Sequence, residues 1–332
     1  MGFYIFWTDP GFLDSLDDKV RWLQEQVFAP STRLTYASQR KLYQHFCVLG
    51  GINPVPLSQD NACRYIAFLS TKLAYTSIKQ YINVVRIMHL EAGHANPFQG
   101  SWHIDILLKG TKRVLGISHK QKLPITPAIL RQLFKLIDFT LPLEVTFWAA
   151  CLVAFFSFFR KSNLLVRSIT SFDSNLHLCR GDATFSEDGV SLAVRWSKTI
   201  QYRQRVLHIP LPRIPGSPLC PAQTLILALR LCNAPPSAPL FTYPTCNGWL
   251  PLTVQVFQDK LHKYLGNLNL KTSDYSGHSF RRGGASFALE CGLPSEVIKA
   301  QGDWASNAYE NYINPSWDMR KHLATTLGKY IQ

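Results

Sequence analysis

Apolar residues in the first third of the chain recur at intervals of three and four. The pattern covers 31–49, 58–69 and 76–92, and it places the apolar side chains on one face of an α-helix. Gly50-Gly51 and Gly93 follow the first and third of these segments, where glycine commonly ends a helix. We therefore predict a domain of packed helices over residues 18–105, preceded by an N-terminal extension over residues 1–17.

The periodicity changes in the second half of the chain. An apolar run over 147–159 predicts a buried helix and is too short to cross a bilayer. Alternation over 190–196 and 206–209 predicts two strands, with a third within 175–185. Helical patterns return over 222–232, 252–265, 278–289 and 295–300. The predicted fold class is mainly α with a small antiparallel β-sheet, and residues 124–332 form an α+β domain.

A basic segment joins the two predicted domains. Residues 106–123 are rich in lysine and contain Gly110, a composition typical of an exposed linker. Basic residues also lie on the polar sides of the N-terminal helices, where they form either a solvated face or phosphate contacts. The candidate phosphate-contacting residues are Arg33, Arg40, Lys41, Lys79, Arg86, Lys109, Lys112, Arg113, Lys120 and Lys122.

Charge and cysteine content narrow the classes of partner. The 332-residue chain carries 35 Lys and Arg against 21 Asp and Glu, a net charge of +14, which favours a polyanion because counterion release drives such binding. Its eight cysteines include no Cys-x-x-Cys pair and no Cys/His cluster at zinc spacing. Charge alone does not separate DNA from RNA or an acidic membrane surface. We expect a reducing compartment, no metal and no cofactor, and no membrane partner, since the longest apolar run is too short to span a bilayer.

A motif of distinct chemistry lies in the last fifth of the chain. His278-x-x-Arg281 is followed by Gly302-x-Trp304 and then by Tyr309 and Tyr312. His-x-x-Arg alone is common and is often a surface pair. Here Arg160 follows the buried apolar run, and Lys198 lies in the turn between two predicted strands.

The order Arg160, Lys198, His278-x-x-Arg281, Trp304, Tyr312 resembles the active site of the tyrosine recombinases, the phage-integrase family. The segment 302–313 and the fragment 218–221 are similar to the recombinases of eukaryotic DIRS, Ngaro and crypton mobile elements. The resemblance covers nearly the whole chain from about residue 20. It implies a two-domain clamp on duplex DNA, made of a helical core-binding domain and a catalytic domain.

The resemblance also implies a mechanism. The phenol of tyrosine has a pKa of about 10 and is a poor nucleophile at neutral pH. A tyrosine nucleophile therefore needs an activated phosphate. Arg160 and Arg281 would stabilise the transition state, His278 would act as acid or base, Trp304 would donate to a phosphate oxygen, and Lys198 would protonate the leaving 5′ oxygen. The expected intermediate is a 3′-phosphotyrosyl bond that needs neither metal nor ATP. A nuclear location and a homotetramer on paired DNA sites are also implied, the latter through a terminal helix with Leu323, Leu327 and Ile331.

Two departures from the family leave alternatives open. Asn163 stands where the family usually has an acidic residue, and Tyr312 follows Trp304 by eight positions, about one fewer than in the bacterial and phage members. Tyr309 is therefore a rival nucleophile. The alternative functions are a domesticated DNA-binding protein that no longer cleaves, and a type IB topoisomerase.

Overall fold

The computed structural model describes residues 12–117, 121–202, 204–304 and 306–313, together with 315, 317, 321, 324 and 325. The chain divides into two compact units, Met1–Lys120 and Gln121–Gln332. The first unit is helical, and the second combines helices with short antiparallel strands. The predicted fold class, mainly α with a small antiparallel sheet, is confirmed.

Five helices build the described part of the first unit. They are α1 Phe12–Glu25, α2 Pro30–Gly50, α3 Gln59–Ser70, α4 Tyr75–Glu91 and α5 Trp102–Leu115. Pro30 begins α2 at a position that needs no N–H donor, and Gly51 ends it in the left-handed conformation with φ 59°. The core is aromatic at its centre, where Tyr43 and Tyr65 meet edge to face at 5.0 Å.

The predicted linker over residues 106–123 is wrong for most of its length. Residues 102–115 form α5, with Ile104 and Thr111 buried against the first unit. Lysine content and Gly110 suggested an exposed connector, but the apolar positions of this segment have helical spacing and bury one face. The end of the predicted linker is tied to the second unit, where Leu123 N–H donates to the Asp274 carbonyl at 2.8 Å. The predicted extension over residues 1–17 likewise overlaps a helix, because α1 begins at Phe12.

The second unit is built around one buried helix. Its helices are α6 Pro127–Phe134, α7 Pro142–Phe156, α8 Lys161–Leu164, α9 Pro221–Leu231, α10 Val254–Asn267, α11 Gly277–Glu290 and α12 Ser295–Gln301. Phe147 and Trp148 of α7 are fully buried, as the apolar run predicts. The other helices of the unit supply much of the same core.

The strands form two small antiparallel groups. β1 Ala183–Phe185, β2 Gly189–Val194 and β3 Leu207–Pro212 make a three-stranded sheet in that order, and β4 Thr242–Thr245 pairs with β5 Gly248–Pro251. Val190, Leu192 and Val194 are buried while the residues between them are less so, which is the alternation of a sheet with one packed face. The connection from β2 to β3 carries Lys198.

A buried carboxylate joins α7 to α10. Glu144 accepts hydrogen bonds from the Lys260 ammonium and the Tyr264 hydroxyl, and its side chain is 7% exposed. We expect Glu144→Ala to lower the free energy of unfolding by about 3 kcal/mol, because it leaves a largely buried ammonium without its partner. Urea denaturation of Glu144→Ala beside Asp259→Ala, an exposed carboxylate on α10, measures the difference. Equal stability of the two variants would contradict this role.

Candidate active site

Helix α11 presents the predicted His-x-x-Arg pair. Its N-cap is Ser276, whose hydroxyl accepts from the His278 N–H at 3.3 Å, and the Ser279 hydroxyl accepts from the Ser276 N–H at 3.0 Å. This reciprocal capping defines where the helix starts. His278 and Arg281 lie three residues apart in the helix, so they share one face.

Two glycines let α11 approach its neighbours closely. A Cβ atom on Gly283 would lie 1.8 Å from the Ile125 carbonyl oxygen, and one on Gly284 would lie 2.1 Å from the Phe155 carbonyl oxygen. No side chain fits in that space without moving backbone. The pair of glycines after Arg281 therefore sets how closely the arginine lies to the end of α7.

Arg281 lies at the centre of the cluster and is 1% exposed. Its Nη1 donates to the Phe158 carbonyl, and its Cζ lies 3.6 Å from the Trp304 ring centroid and 5.0 Å from that of Tyr312. Arg281 Nε and Nη2 and Trp304 Nε1 are buried without a hydrogen-bond partner among the described residues. Because buried donors normally find acceptors, this cluster is chemically matched to a bound oxyanion.

Arg160 joins this cluster from the turn after α7. Phe158 adopts the left-handed conformation with φ 51°, and Arg160 then becomes the N-cap of α8. Burial lowers the pKa of the Arg281 guanidinium, and the positive charge of Arg160 lowers it further. The structure therefore brings Arg160 and Arg281 close enough for their charges to interact, as two arginines around one phosphate require.

His278 lies within the same positive field. Burial is the main cause that lowers its pKa from 6.5, and the charges of Lys161, Arg281 and Arg160 lower it further. Its Nδ1 is buried without a hydrogen-bond partner in the described part of the chain. At neutral pH His278 is therefore an uncharged imidazole, able to accept a proton.

The lowered pKa of His278 predicts a pH-dependent stability. The unfolded chain binds this proton more readily than the folded chain. His278 therefore contributes fully to the stability of the folded state above pH 6.5, and this contribution declines as pH falls toward the lowered pKa of the folded state. Between about pH 7 and about pH 5.5, we expect the free energy of unfolding of His278→Gln to fall by less than that of the wild-type protein. Urea denaturation at both pH values, with His208→Gln on the exposed part of β3 as control, tests this. Identical pH dependence in His278→Gln and wild type would contradict it.

The rings of both candidate tyrosines contact the ring of Trp304. The Trp304 ring centroid is 5.4 Å from that of Tyr312 and 6.3 Å from that of Tyr309. Tyr312 also contacts the Arg281 guanidinium, whereas the Tyr309 ring lies 5.6 Å from the Lys299 ammonium. The geometry therefore favours Tyr312 over Tyr309 as the tyrosine associated with the arginines.

Lys198 is exposed and lies on the connection between β2 and β3. The flanking Ser197 and Thr199 hydroxyls both donate to the Asp303 carboxylate, beside Trp304. The lysine-bearing turn is thus attached to the segment that carries the tryptophan and the tyrosines. Asn163, at the position of the expected acidic residue, donates its backbone N–H to the Arg160 carbonyl at 2.9 Å.

Three residues of the site were missed by the sequence analysis. Lys161 lies near His278 and lowers its pKa, Asp303 binds the lysine turn, and Arg282 is 8% exposed. Arg282 donates to the Asn311 carbonyl at 3.0 Å and to Gln121 Oε1 at 2.5 Å, so it holds the residue just before Tyr312. The doubled arginine after His278 was the available signal for Arg282.

The predicted DNA-binding residues lie on several helices. In the first unit, Arg33, Arg40 and Lys41 belong to α2, Lys79 and Arg86 to α4, and Lys109, Lys112 and Arg113 to α5. Arg40 already pairs with Glu91 at 2.5 Å. Lys122, in the second unit, donates to the Ser273 carbonyl at 2.6 Å. Lys120 lies outside the described residues.

The described residues show neither a metal-binding group nor a membrane-spanning helix. No group of three or more His, Cys, Asp or Glu side chains in that part of the chain could hold a metal ion. None of the helices described there is long and apolar enough to cross a membrane. All eight cysteines are free thiols.

The sequence of the chain is similar to that of a known recombinase. The chain is 22% identical over 294 residues to an integrase/recombinase xerD homolog of Selenomonas ruminantium, covering 87% of this chain and 82% of that protein. No protein-family model matches the chain.

Solved structures show the same fold. The Tn1549 transposon integrase in complex with transposon right end DNA has a TM-score of 0.65 at 14% identity, covering 93% of this chain and 98% of the other. A lambda integrase dimer bound to a core site has a TM-score of 0.59 at 14% identity, with coverages of 91% and 95%. At 14% identity these similarities show that the chain shares the fold of the two integrases.

Proposed function

We propose that the protein is a site-specific DNA recombinase that cleaves and rejoins duplex DNA through a covalent tyrosine intermediate. The observation that carries this proposal is the packing of Tyr312 and Trp304 on the buried Arg281, with donors of Arg281 and Trp304 left without protein acceptors in the described residues. A phosphodiester supplies the oxygens that such donors require. The similarity to integrases and recombinases supports the same function.

In the proposed reaction Tyr312 Oη bonds to phosphorus while the bond from phosphorus to the 5′ oxygen breaks. His278 takes the phenolic proton, which its uncharged imidazole is able to accept, and Lys198 gives a proton to the departing 5′ oxygen. Arg160 and Arg281 stabilise the charge that develops on the non-bridging oxygens. One phosphodiester is exchanged for another at each step, so the reaction balances without a metal ion or ATP.

Duplex DNA is the proposed partner of the basic surface. The net charge of +14 favours a polyphosphate, and Arg33, Lys41, Lys79 and Lys112 are among the basic side chains on helices of the first unit. These contacts would position the protein on DNA without specifying sequence. The steepness of the decrease in DNA affinity with salt measures how many phosphates are contacted, and an affinity that is independent of salt would contradict this role.

A nicked suicide substrate tests cleavage directly. Duplexes enriched by binding to the protein from a random pool, then nicked near the enriched sequence, release a short strand on cleavage and trap the covalent complex. We expect an adduct that survives SDS and boiling, disappears on protease treatment and forms in the presence of EDTA. No adduct on bound duplexes would overturn the proposal in favour of a binding protein without cleavage, the alternative that Asn163 leaves open. Relaxation of supercoiled DNA without site preference would instead indicate a topoisomerase.

We further propose a mobile-element recombinase of the DIRS, Ngaro and crypton type that acts in the nucleus. The Gly302-Asp303-Trp304 segment and the position of Tyr312 before Ile313 support this. Excision of a marker flanked by enriched sites in a eukaryotic reporter cell measures both the activity and the access to nuclear DNA. Activity on the purified plasmid but none in the nucleus would refute the location alone.

We propose a homotetramer on paired DNA sites, in which the C-terminal helix of one protomer packs on a neighbouring protomer. An apolar cavity in the second unit supports this proposal. The cavity has a volume of about 280 Å³ and lies between α7, α11 and α12, where Phe155, Phe287, Leu293 and Val297 are among its lining residues. Leu323, Leu327 and Ile331 form a stripe of matching chemistry in the sequence, although they lie outside the described residues. Sedimentation on DNA of a chain truncated after Asn314 tests this proposal, and unchanged assembly would refute it.

A further inference from the structure

Asp303 is a buried carboxylate at an unusual backbone position. It is 6% exposed and adopts the left-handed conformation with φ 53°, which is strained for a residue other than glycine. Its N–H donates to the Ala300 carbonyl at 3.2 Å, at the end of α12. Glycine would suit this backbone better, so the carboxylate itself needs an explanation.

The side-chain partners of Asp303 among the described residues all come from one connection, the turn between β2 and β3. The Ser197 hydroxyl donates to Oδ2 at 2.9 Å, the Thr199 hydroxyl donates to the same oxygen, and Arg205 donates to Oδ1. Lys198 lies between the two hydroxyl donors in sequence. A single carboxylate therefore holds the backbone on both sides of the lysine.

Hydrogen bonds within the connection also restrict Lys198. The Thr199 N–H donates to the Ser197 hydroxyl at 3.1 Å, and Gln201 Nε2 donates to the Lys198 carbonyl at 2.7 Å. The Ile200 N–H donates to the Ser197 carbonyl at 3.1 Å. The backbone of Lys198 is thus fixed while its side chain is exposed, as expected of a group that must reach a DNA strand from a defined origin.

We propose that Asp303 is a positioning residue for Lys198, holding the general acid in register with the tyrosine and arginine cluster. Asp303 precedes Trp304, which packs on Arg281 and Tyr312, so the carboxylate links the proton donor to the attacking side of the reaction. Misplacing a catalytic group by about 1 Å is enough to cost about a hundredfold in rate. This inference rests on the proposed function, in which Lys198 protonates the 5′ oxygen.

A bridging 5′-thio substrate separates positioning of Lys198 from other roles. In that substrate the bond that breaks joins phosphorus to sulfur, and the sulfur departs as a thiolate, which needs no proton because thiols are far more acidic than alcohols. We expect Lys198→Ala and Asp303→Ala to lose at least about tenfold in single-turnover adduct formation on the all-oxygen substrate. Both should approach the wild-type rate on the 5′-thio substrate.

Two further variants make the test independent of the stability of Asp303→Ala. The double variant Ser197→Ala, Thr199→Val removes the two hydroxyl donors and leaves the Asp303 carboxylate in place. It is expected to lose adduct formation on the all-oxygen substrate and to keep it on the 5′-thio substrate. Asp182→Ala is the matched control, because Asp182 pairs with Arg195 at 3.0 Å beyond the end of β2 and makes no bond to residues 197–205 in the described structure. It is expected to affect both substrates equally.

The outcomes distinguish this inference from the function on which it rests. If wild type forms no adduct on either substrate, the proposed function and the positioning role of Asp303 are both refuted. If wild type cleaves both substrates and the Asp303 and Ser197/Thr199 variants lose equally on both, Asp303 supports the fold or the nucleophile and the positioning role is refuted. Wild-type rates in all of these variants on the all-oxygen substrate would also refute it.

Discussion

Tyr312→Phe is expected to abolish the covalent adduct with DNA, lowering its rate by more than about a thousandfold, while Tyr309→Phe retains it. Phenylalanine keeps the ring that packs on Trp304 and Arg281 and removes only the hydroxyl, so folding and DNA binding should be preserved. Tyr309 contacts Trp304 and Lys299 but has no ring contact with Arg281 in the described structure. Its hydroxyl is therefore expected to be dispensable for cleavage.

The suicide substrate provides the measurement for both tyrosine variants. Each variant is assayed at saturating protein, with duplex binding measured in parallel to show that the DNA complex still forms. The reverse result, an adduct retained in Tyr312→Phe and lost in Tyr309→Phe, would reassign the nucleophile. An adduct retained in both single variants and lost only in the double variant would show that either tyrosine can attack.

Arg281→Lys is expected to lower the rate of adduct formation by about a hundredfold to a thousandfold, the usual effect of removing one donor to a developing oxyanion. Lysine keeps the positive charge but lacks the planar fork that donates to two oxygens at once. It would also lose the bond from Nη1 to the Phe158 carbonyl and the contact of the guanidinium with the Trp304 ring. The effect should appear in the chemical step more than in DNA affinity.

Arg180→Lys is the matched control for Arg281→Lys. Arg180 is partly buried in the second unit and donates to the Leu229 and Cys232 carbonyls at 2.6 Å and 2.8 Å, and to the Thr242 hydroxyl at 3.1 Å. Its replacement should reduce thermal stability without a selective loss of cleavage at temperatures where the protein is folded. Equal rate losses in Arg180→Lys and Arg281→Lys would show that the effect is a general loss of packing.

The motif residues were readable from sequence because each lies at a fixed position relative to its neighbours. His278 and Arg281 share a face of one helix, and Arg160 directly follows the apolar run that predicts the buried helix. The buried helix itself was predictable from the run of thirteen residues over 147–159, in which Ser157 is the one polar residue. Local spacing carries this information because a helix fixes the geometry of residues three and four apart.

Contacts between distant segments could not be read in the same way. Asp303 binds Ser197 and Thr199 across more than a hundred positions, and nothing in the spacing of either segment indicates the partner. The prediction of an exposed linker over residues 106–123 failed for a related reason. The lysines and Gly110 indicate that one face of this segment is exposed, but the other face of α5 is buried through Ile104 and Thr111. In this segment the spacing of the apolar residues, and not the lysine and glycine content, determines the structure.

The hydrogen bond from Arg281 to the Phe158 carbonyl has an implication for how such a site changes during evolution. It connects one arginine to the turn that orients the other, since Arg160 follows Phe158 by two residues. Substitutions at Arg160 and Arg281 should therefore be strongly non-additive, because the first already disorganises what the second removes. A lineage that keeps DNA binding but abandons cleavage would have little selection left on the second arginine once the first is lost, so descendants of this site should retain both arginines or neither.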